Sequence, residues 1–146
     1  MMVGQDNRDL EGRLEEVLRT SIEKYGKALP LKKISLKNAL EAKAPYYVSV
    51  SGERIYLDKQ AVEKAAGLVT SEEAENILLP LVIKFSKDGV YYFEGNDCEA
   101  SLLKRALGEL NLLENRCKGS TRIVFTQRRL LKIMRRLGGL ILFAPG

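Results

Sequence analysis

A chain of 146 residues with 24 Lys+Arg, 19 Asp+Glu and 45% hydrophobic residues has the composition of one soluble globular domain, large enough to bury an independent core. Its longest apolar runs, ILLPLVI from Ile77 and LGGLILFA from Leu137, fall far short of the ~20 residues of a membrane span, and MMVGQDNRDLEGR lacks the apolar core of a signal peptide. With no histidine at all, His-dependent triads, His general bases and the usual His-containing metal sites are excluded together.

In chain order, residues 7–25 read as an amphipathic helix, with Leu10, Leu14, Val17, Leu18, Ile22 and Tyr25 at helical spacing and Gly26 as its stop. This N-terminal helix, residues 1–28, is expected as an appendage to a single domain spanning 1–146. The loop KALPLKK leads to a short helix from Leu36, capped by Ser35 and ended before Pro45. YYVSVSGERIYLD alternates around Gly52 as a hairpin, and helices follow Asp58 and Thr70, the latter with Glu73 at capping-box spacing.

LVIKFSKDGVYYFEG predicts a second hairpin, with strands near 81–86 and 90–94 turning through Asp88-Gly89. NDCEASLLKRALGEL predicts a helix capped by Asn96 with Glu99 three residues on. Residues 111–120 are polar and irregular. A strand RIVFT, a basic helix and a terminal strand LILFA complete the chain. Six strands interleaved with about as many helices predict an α+β fold with hairpins in a mixed sheet, a long N-terminal helix and a basic C-terminal helix.

Several of these segments also carry a family likeness. LPLKKISL (Leu29 to Leu36), Pro45 before the hairpin that turns at Gly52, Leu79-Pro80 before a strand, and the short strand that ends the chain resemble an archaeal family of uncharacterised proteins, the sixty-first in a series of domains of unknown function. The likeness runs from about Tyr25 to Ala144. It implies an archaeal cytoplasmic protein and supplies no activity and no catalytic residues. The N-terminal helix is longer here than the family pattern, and the tail lacks a threonine-rich approach to the last strand.

Charge is divided unevenly. Residues 1–100 hold 14 Lys+Arg and 17 Asp+Glu, a net of −3, whereas residues 101–146 hold 10 and 2, a net of +8. No acid follows Glu114. Such asymmetry points to an anionic partner. On a helix advancing about 100° per residue, Arg128, Arg129, Lys132, Arg135 and Arg136 fall within roughly 120°, and Leu130, Leu131, Ile133, Met134 and Leu137 take the other side. Like charges at i,i+4 repel by a few tenths of a kcal/mol, so a face kept only for solubility would more often mix in glutamates. Cations also suit a helix C-terminus, and a solvated outer face is the competing reading.

Other constellations are weaker. Cys98 sits at a helix start, but Asp97 and Glu99 flank it and oppose thiolate formation, so a semi-buried structural thiol is expected. A disulfide between Cys98 and Cys117 would suit an oxidising or hyperthermophilic setting; reduced thiols are the expectation for a cytoplasmic chain. The abundance of Glu, Lys and Arg beside scarce Gln leans toward a thermophile. Asp58, Glu94, Asp97 and Glu99 match no metal-ligand loop, and GLVTSEE and GNDCEA are not phosphate-binding loops. Alternation puts one tyrosine of Tyr46-Tyr47 and one of Tyr91-Tyr92 on each sheet face, where core packing is favoured over a base-stacking platform.

These readings converge on a small cytoplasmic protein that binds nucleic acid, RNA rather than DNA, or another polyanion. Lys118, Arg122, Arg128, Arg129, Lys132, Arg135 and Arg136 would contact phosphates, with little sequence preference. No catalytic residue, cofactor, metal or membrane role is expected. The second expectation is a protein-interaction module, such as a homodimer whose basic face meets the acidic N-terminal part of a partner.

Overall fold

The computed structural model describes residues 3–25, 31–110 and 117–146, with side chains of the first segment described from 12 to 23. In chain order the elements are α1 (Val3–Tyr25), β1 (Ile34–Ser35), α2 (Leu36–Glu41), β2 (Tyr46–Val48), β3 (Arg54–Tyr56), α3 (Lys59–Ala66), α4 (Ser71–Ala74), β4 (Leu78–Leu79) and β5 (Leu81–Phe85). Then come β6 (Tyr91–Asn96), α5 (Asp97–Ala106), β7 (Ser120–Phe125), α6 (Gln127–Leu137), a 3-10 turn (Gly138–Leu140) and β8 (Ile141–Pro145). The fold is α+β, as expected.

Four strands form the main sheet in the order β7-β6-β5-β8. β5, β6 and β7 make an antiparallel meander, and β8 joins β5 in parallel. The register aligns Phe143, Ile83, Phe93 and Ile123 across all four strands, and each is buried. Alternation sends Lys84, Tyr92, Glu94, Arg122 and Val124 to the opposite face. Because a parallel partner cannot be reached by a hairpin, the chain must cross from β7 at one edge to β8 at the other, and α6 makes that crossing. α5 and α6 supply Leu102, Leu103, Leu130, Ile133 and Leu137 to the core, all fully buried.

Side-chain oxygens set the helix starts. Ser35, Asp58, Thr70, Asn96 and Thr126 each accept a backbone N–H of the helix that follows, which satisfies a donor with no partner inside the helix. Both predicted capping boxes form, Thr70 with Glu73 and Asn96 with Glu99. Glu99 does more than close its box: one oxygen accepts from Asn96 N at 3.0 Å and the other from Leu78 N at 3.0 Å, tying α5 to β4. At the other end of a helix, Lys59 donates to the carbonyls of Ala39, Leu40 and Ala42 and so caps α2 from α3. Gly52 turns the first hairpin with φ +83°, a left-handed conformation that glycine adopts at no steric cost.

Three features differ from the sequence reading. The described residues form eight strands instead of six; the additional pair, β1 and β4, is two residues long on each side and shows no periodicity to read. Within α1, Leu14 is 1% exposed and belongs to the core, while Ile22 is 42% exposed. Gly26 and residues 111–116 lie outside the described residues. Finally, the expectation of reduced thiols is overturned: Cys98 and Cys117 form a disulfide, with Cα atoms 4.8 Å apart. Packing brings Cys117 back over the first turn of α5, where Asp97 N donates to Gly119 O and the Thr121 hydroxyl donates to Asp97.

The disulfide closes a sequence separation of 19, so reduction or Cys117→Ser should lower stability by about 3 kcal/mol in urea unfolding, the chain-entropy value for such a loop. An unchanged midpoint would show that the hydrogen bonds of Asp97 already hold the turn. Glu73 carries a second expectation. The Arg105 guanidinium, which it accepts at 2.7 and 2.9 Å, holds its carboxyl below the usual range despite an opposing effect of burial. Stabilisation from Glu73 is thus complete above the unfolded value of about 4.3 and lost as pH falls through the lower folded value. Glu73→Gln should remove that part of the acid slope, read as a shallower decline in melting temperature below about pH 4.3.

Candidate anion-binding surface

α6 begins at Thr126, whose hydroxyl accepts from Arg129 N at 3.3 Å. Its apolar stripe is sunk into the core: Leu130, Ile133 and Leu137 are fully buried and Leu131 nearly so. Met134 is only half-buried and lines a groove of about 500 Å³ between α1 and α6, with Val17, Ser21 and Leu131 on the floor and Arg13 and Arg135 on the rims. The stripe leaves the helix no rotational freedom. Arg128, Lys132, Arg135 and Arg136 are therefore exposed, and Arg129 is half-buried at the edge of the arc. The chain leaves this helix through Gly138-Gly139, where a Cβ on Gly139 would lie 2.5 Å from Asp58 Cβ, so the close approach to the start of α3 requires glycine.

Neighbouring elements take up part of the charge. Arg129 Nη2 meets Glu109 Oε1 at 2.7 Å, the acidic relief that the like-charge arc lacks within its own helix. Both side chains are more than a third exposed, so this pair is worth roughly 0–1 kcal/mol and an incoming anion can compete for the arginine. Lys132 Nζ donates to Leu107 O at 3.0 Å, closing the C-terminal turn of α5 while keeping two further N–H donors. Arg128, Arg135 and Arg136 make no hydrogen bond or ion pair among the described residues.

The other two candidate cations are placed differently. Arg122 projects from the sheet face opposite the one that α6 covers, stacked over Tyr92 at 4.3 Å and 3.8 Å from Glu94. It does not join the α6 arc. Lys118 is exposed in the turn before β7. The surface that the fold assembles is thus Arg128, Lys132, Arg135 and Arg136, with Arg129 at its edge.

The weaker constellations resolve into structural roles. Cys98 is fully buried and bonded to Cys117, which leaves no thiol for nucleophilic chemistry. Asp58 caps α3, Asp97 accepts from Thr121, Glu99 accepts two backbone N–H groups and Glu94 faces Arg122. No three His, Cys, Asp or Glu residues are gathered as a metal site among the described residues, and no helix among them is long and apolar enough to cross a membrane. Each tyrosine pair is split as alternation requires: Tyr47 is buried and Tyr46 is not, and Tyr91 packs against the core while Tyr92 faces away. A ring pair on β2 and β3, half-buried Tyr46 and exposed Tyr56 with centroids 5.8 Å apart and Arg54 over Tyr46, goes beyond that reading, since only strand pairing brings these residues together.

The fold and this surface define a small α+β protein with an exposed basic helix. The chain belongs to the family described as "Protein of unknown function DUF61", whose profile matches residues 15–144. A solution structure of an archaeal DUF61 family protein is similar to it, with a TM-score of 0.60 at 18% identity, covering 84% of this chain and 78% of that one. At that identity the likeness shows the fold alone. No curated protein matches the chain in sequence.

Leu130→Ala should cost roughly 2–5 kcal/mol in denaturant unfolding, the range for a fully buried large-to-small change. Met134→Ala, at the half-buried rim of the groove, should cost clearly less. Equal costs would mean that the groove between α1 and α6 is closed in solution.

Proposed function

We propose that the protein binds RNA, or a polyanion of similar charge density, through the outer face of α6, with Arg128, Arg135 and Arg136 as the principal phosphate contacts and Lys132 beside them. The observation that carries this reading is the set of three guanidinium groups without partners among the described residues, on a helix whose opposite face buries Leu130, Ile133 and Leu137. A surface kept only for solubility has no need to concentrate like charges in this way, since mixed signs would stabilise the helix by i,i+4 pairing. The cations are also held ready: packing of Leu130, Ile133 and Leu137 fixes the helix, so binding requires no rearrangement of the backbone. Contacts of this kind read charge and spacing, and sequence preference should be weak.

With three to four phosphates engaged, the logarithm of the binding constant should fall with the logarithm of salt concentration at a slope of roughly −3 to −4 on duplex DNA and −2 to −3 on single strands. Fluorescence anisotropy with mixed RNA and DNA oligonucleotides at low and moderate salt measures this directly. Arg128→Glu with Arg136→Glu should weaken binding strongly while circular dichroism stays native, because neither side chain supports the core. Arg129→Ala should weaken binding much less. A wild-type chain that binds no polyanion even at low salt would sink the proposal and leave α6 as a solvated or protein-docking face; light scattering then tests for self-association.

A further inference from the structure

The hairpin of β2 and β3 presents a second surface, which shares no residue with α6. Its register pairs Tyr46 with Tyr56 and Val48 with Arg54, and an isolated antiparallel bridge places Lys32 beside Val48. Side chains on paired residues point to the same face, so Lys32, Val48, Arg54, Tyr46 and Tyr56 share one surface. The residues between them, Tyr47 and Ile55, turn inward, and Tyr47 is fully buried. Lys32 and Arg54 are exposed, Tyr56 is 54% exposed, and none of the five residues on this face is acidic. Arg54 lies over the Tyr46 ring at 4.7 Å from its centroid, and the Tyr56 ring stands beside it, tilted by 59°.

We infer that this face is a base-stacking site for single-stranded nucleic acid, distinct from the phosphate contacts of α6. Aromatic rings interleaved with cations on an open strand surface are what such a ligand requires. The rings take the π-faces of successive bases, and the cations follow the backbone. The geometry favours this occupant over a protein partner. Tyrosine and arginine suit either kind of partner, but protein interfaces are depleted in lysine, and here Lys32 stands exposed within the patch while its aliphatic member, Val48, is already half-buried. Core packing explains Tyr47 but not Tyr56, a residue more than half exposed. Arg54 lies over Tyr46, and a guanidinium plane can itself stack on a base.

The test compares two labelled strands with the same number of phosphates, single-stranded DNA of about ten nucleotides and the same backbone carrying tetrahydrofuran abasic residues. The chain should prefer the base-bearing strand by roughly five- to 150-fold, the range for one stacked base. Tyr56→Ala should erase most of that preference while leaving affinity for the abasic strand unchanged, and Tyr56→Phe should retain it. Since Tyr56 lies outside the core, the variant should fold; a native circular dichroism spectrum verifies this, and Arg54→Ala offers an independent reading by lowering the same preference. The ratio of the two affinities reports the hairpin, and their absolute value reports α6. Arg128→Glu with Arg136→Glu should weaken both strands alike and preserve the ratio. Equal binding of the two strands by the wild type, or a preference untouched by Tyr56→Ala, overturns the stacking site alone. Loss of the preference without any effect of reversing the α6 charges would support the hairpin and refute the basic helix.

Discussion

The burial of one helix stripe governs this structure. α6 must carry the chain from β7 to β8, the two edges of the main sheet, and can do so only by lying across the sheet's inner face. Leu130, Ile133 and Leu137 make that crossing favourable, since each is wholly removed from water, at roughly 1.5–3 kcal/mol per side chain before entropy is counted. Once the stripe is buried, every other position on the helix is decided. The five cations have nowhere to go but outward, and the charge asymmetry of the chain becomes a surface feature.

The neighbours of α6 temper that surface without neutralising it. Glu109 reaches Arg129 and the carbonyl of Leu107 holds Lys132, so the C-terminal turn of α5 is tied to one flank of the basic arc. The same logic appears at α2, where Lys59 satisfies three terminal carbonyls from the adjoining helix. In both places a lysine from one helix closes the end of another. Such contacts relieve the unpaired carbonyls that every helix end exposes. They also show why counting charges along a chain overstates what is available to a ligand: two of the five cations of α6 already have partners.

α5 is the second organising element. Its first turn gathers the Glu99 carboxylate, which joins Asn96 to Leu78, the Asp97 contacts with Gly119 and Thr121, and the disulfide from Cys98 to Cys117. One helix start thereby anchors the β1–β4 pair on one side and the approach to β7 on the other. Asp97 and Glu99 are spent here as acceptors for hydroxyl and backbone donors, because each helix N-terminus offers more N–H groups than its own helix can satisfy.

What could be read from the sequence alone was whatever depends on neighbours close in the chain. Ser35, Asp58, Thr70 and Asn96 announced their helices because a cap and its N–H lie two or three residues apart. Gly52 and Gly89 marked their turns, and the apolar stripe of α6 followed from a period of 3.6. The basic arc was legible for the same reason. The tertiary structure alone decided which of those cations find partners among the described residues, that Arg122 stands on the far face of the sheet, that Cys98 meets Cys117, that β1 finds β4 across more than 40 residues, and that Tyr46, Tyr56 and Lys32 share a face. Each of these joins residues distant in the chain through strand order or helix packing. Local periodicity holds no information about such pairings, because they are selected by the burial of the whole core.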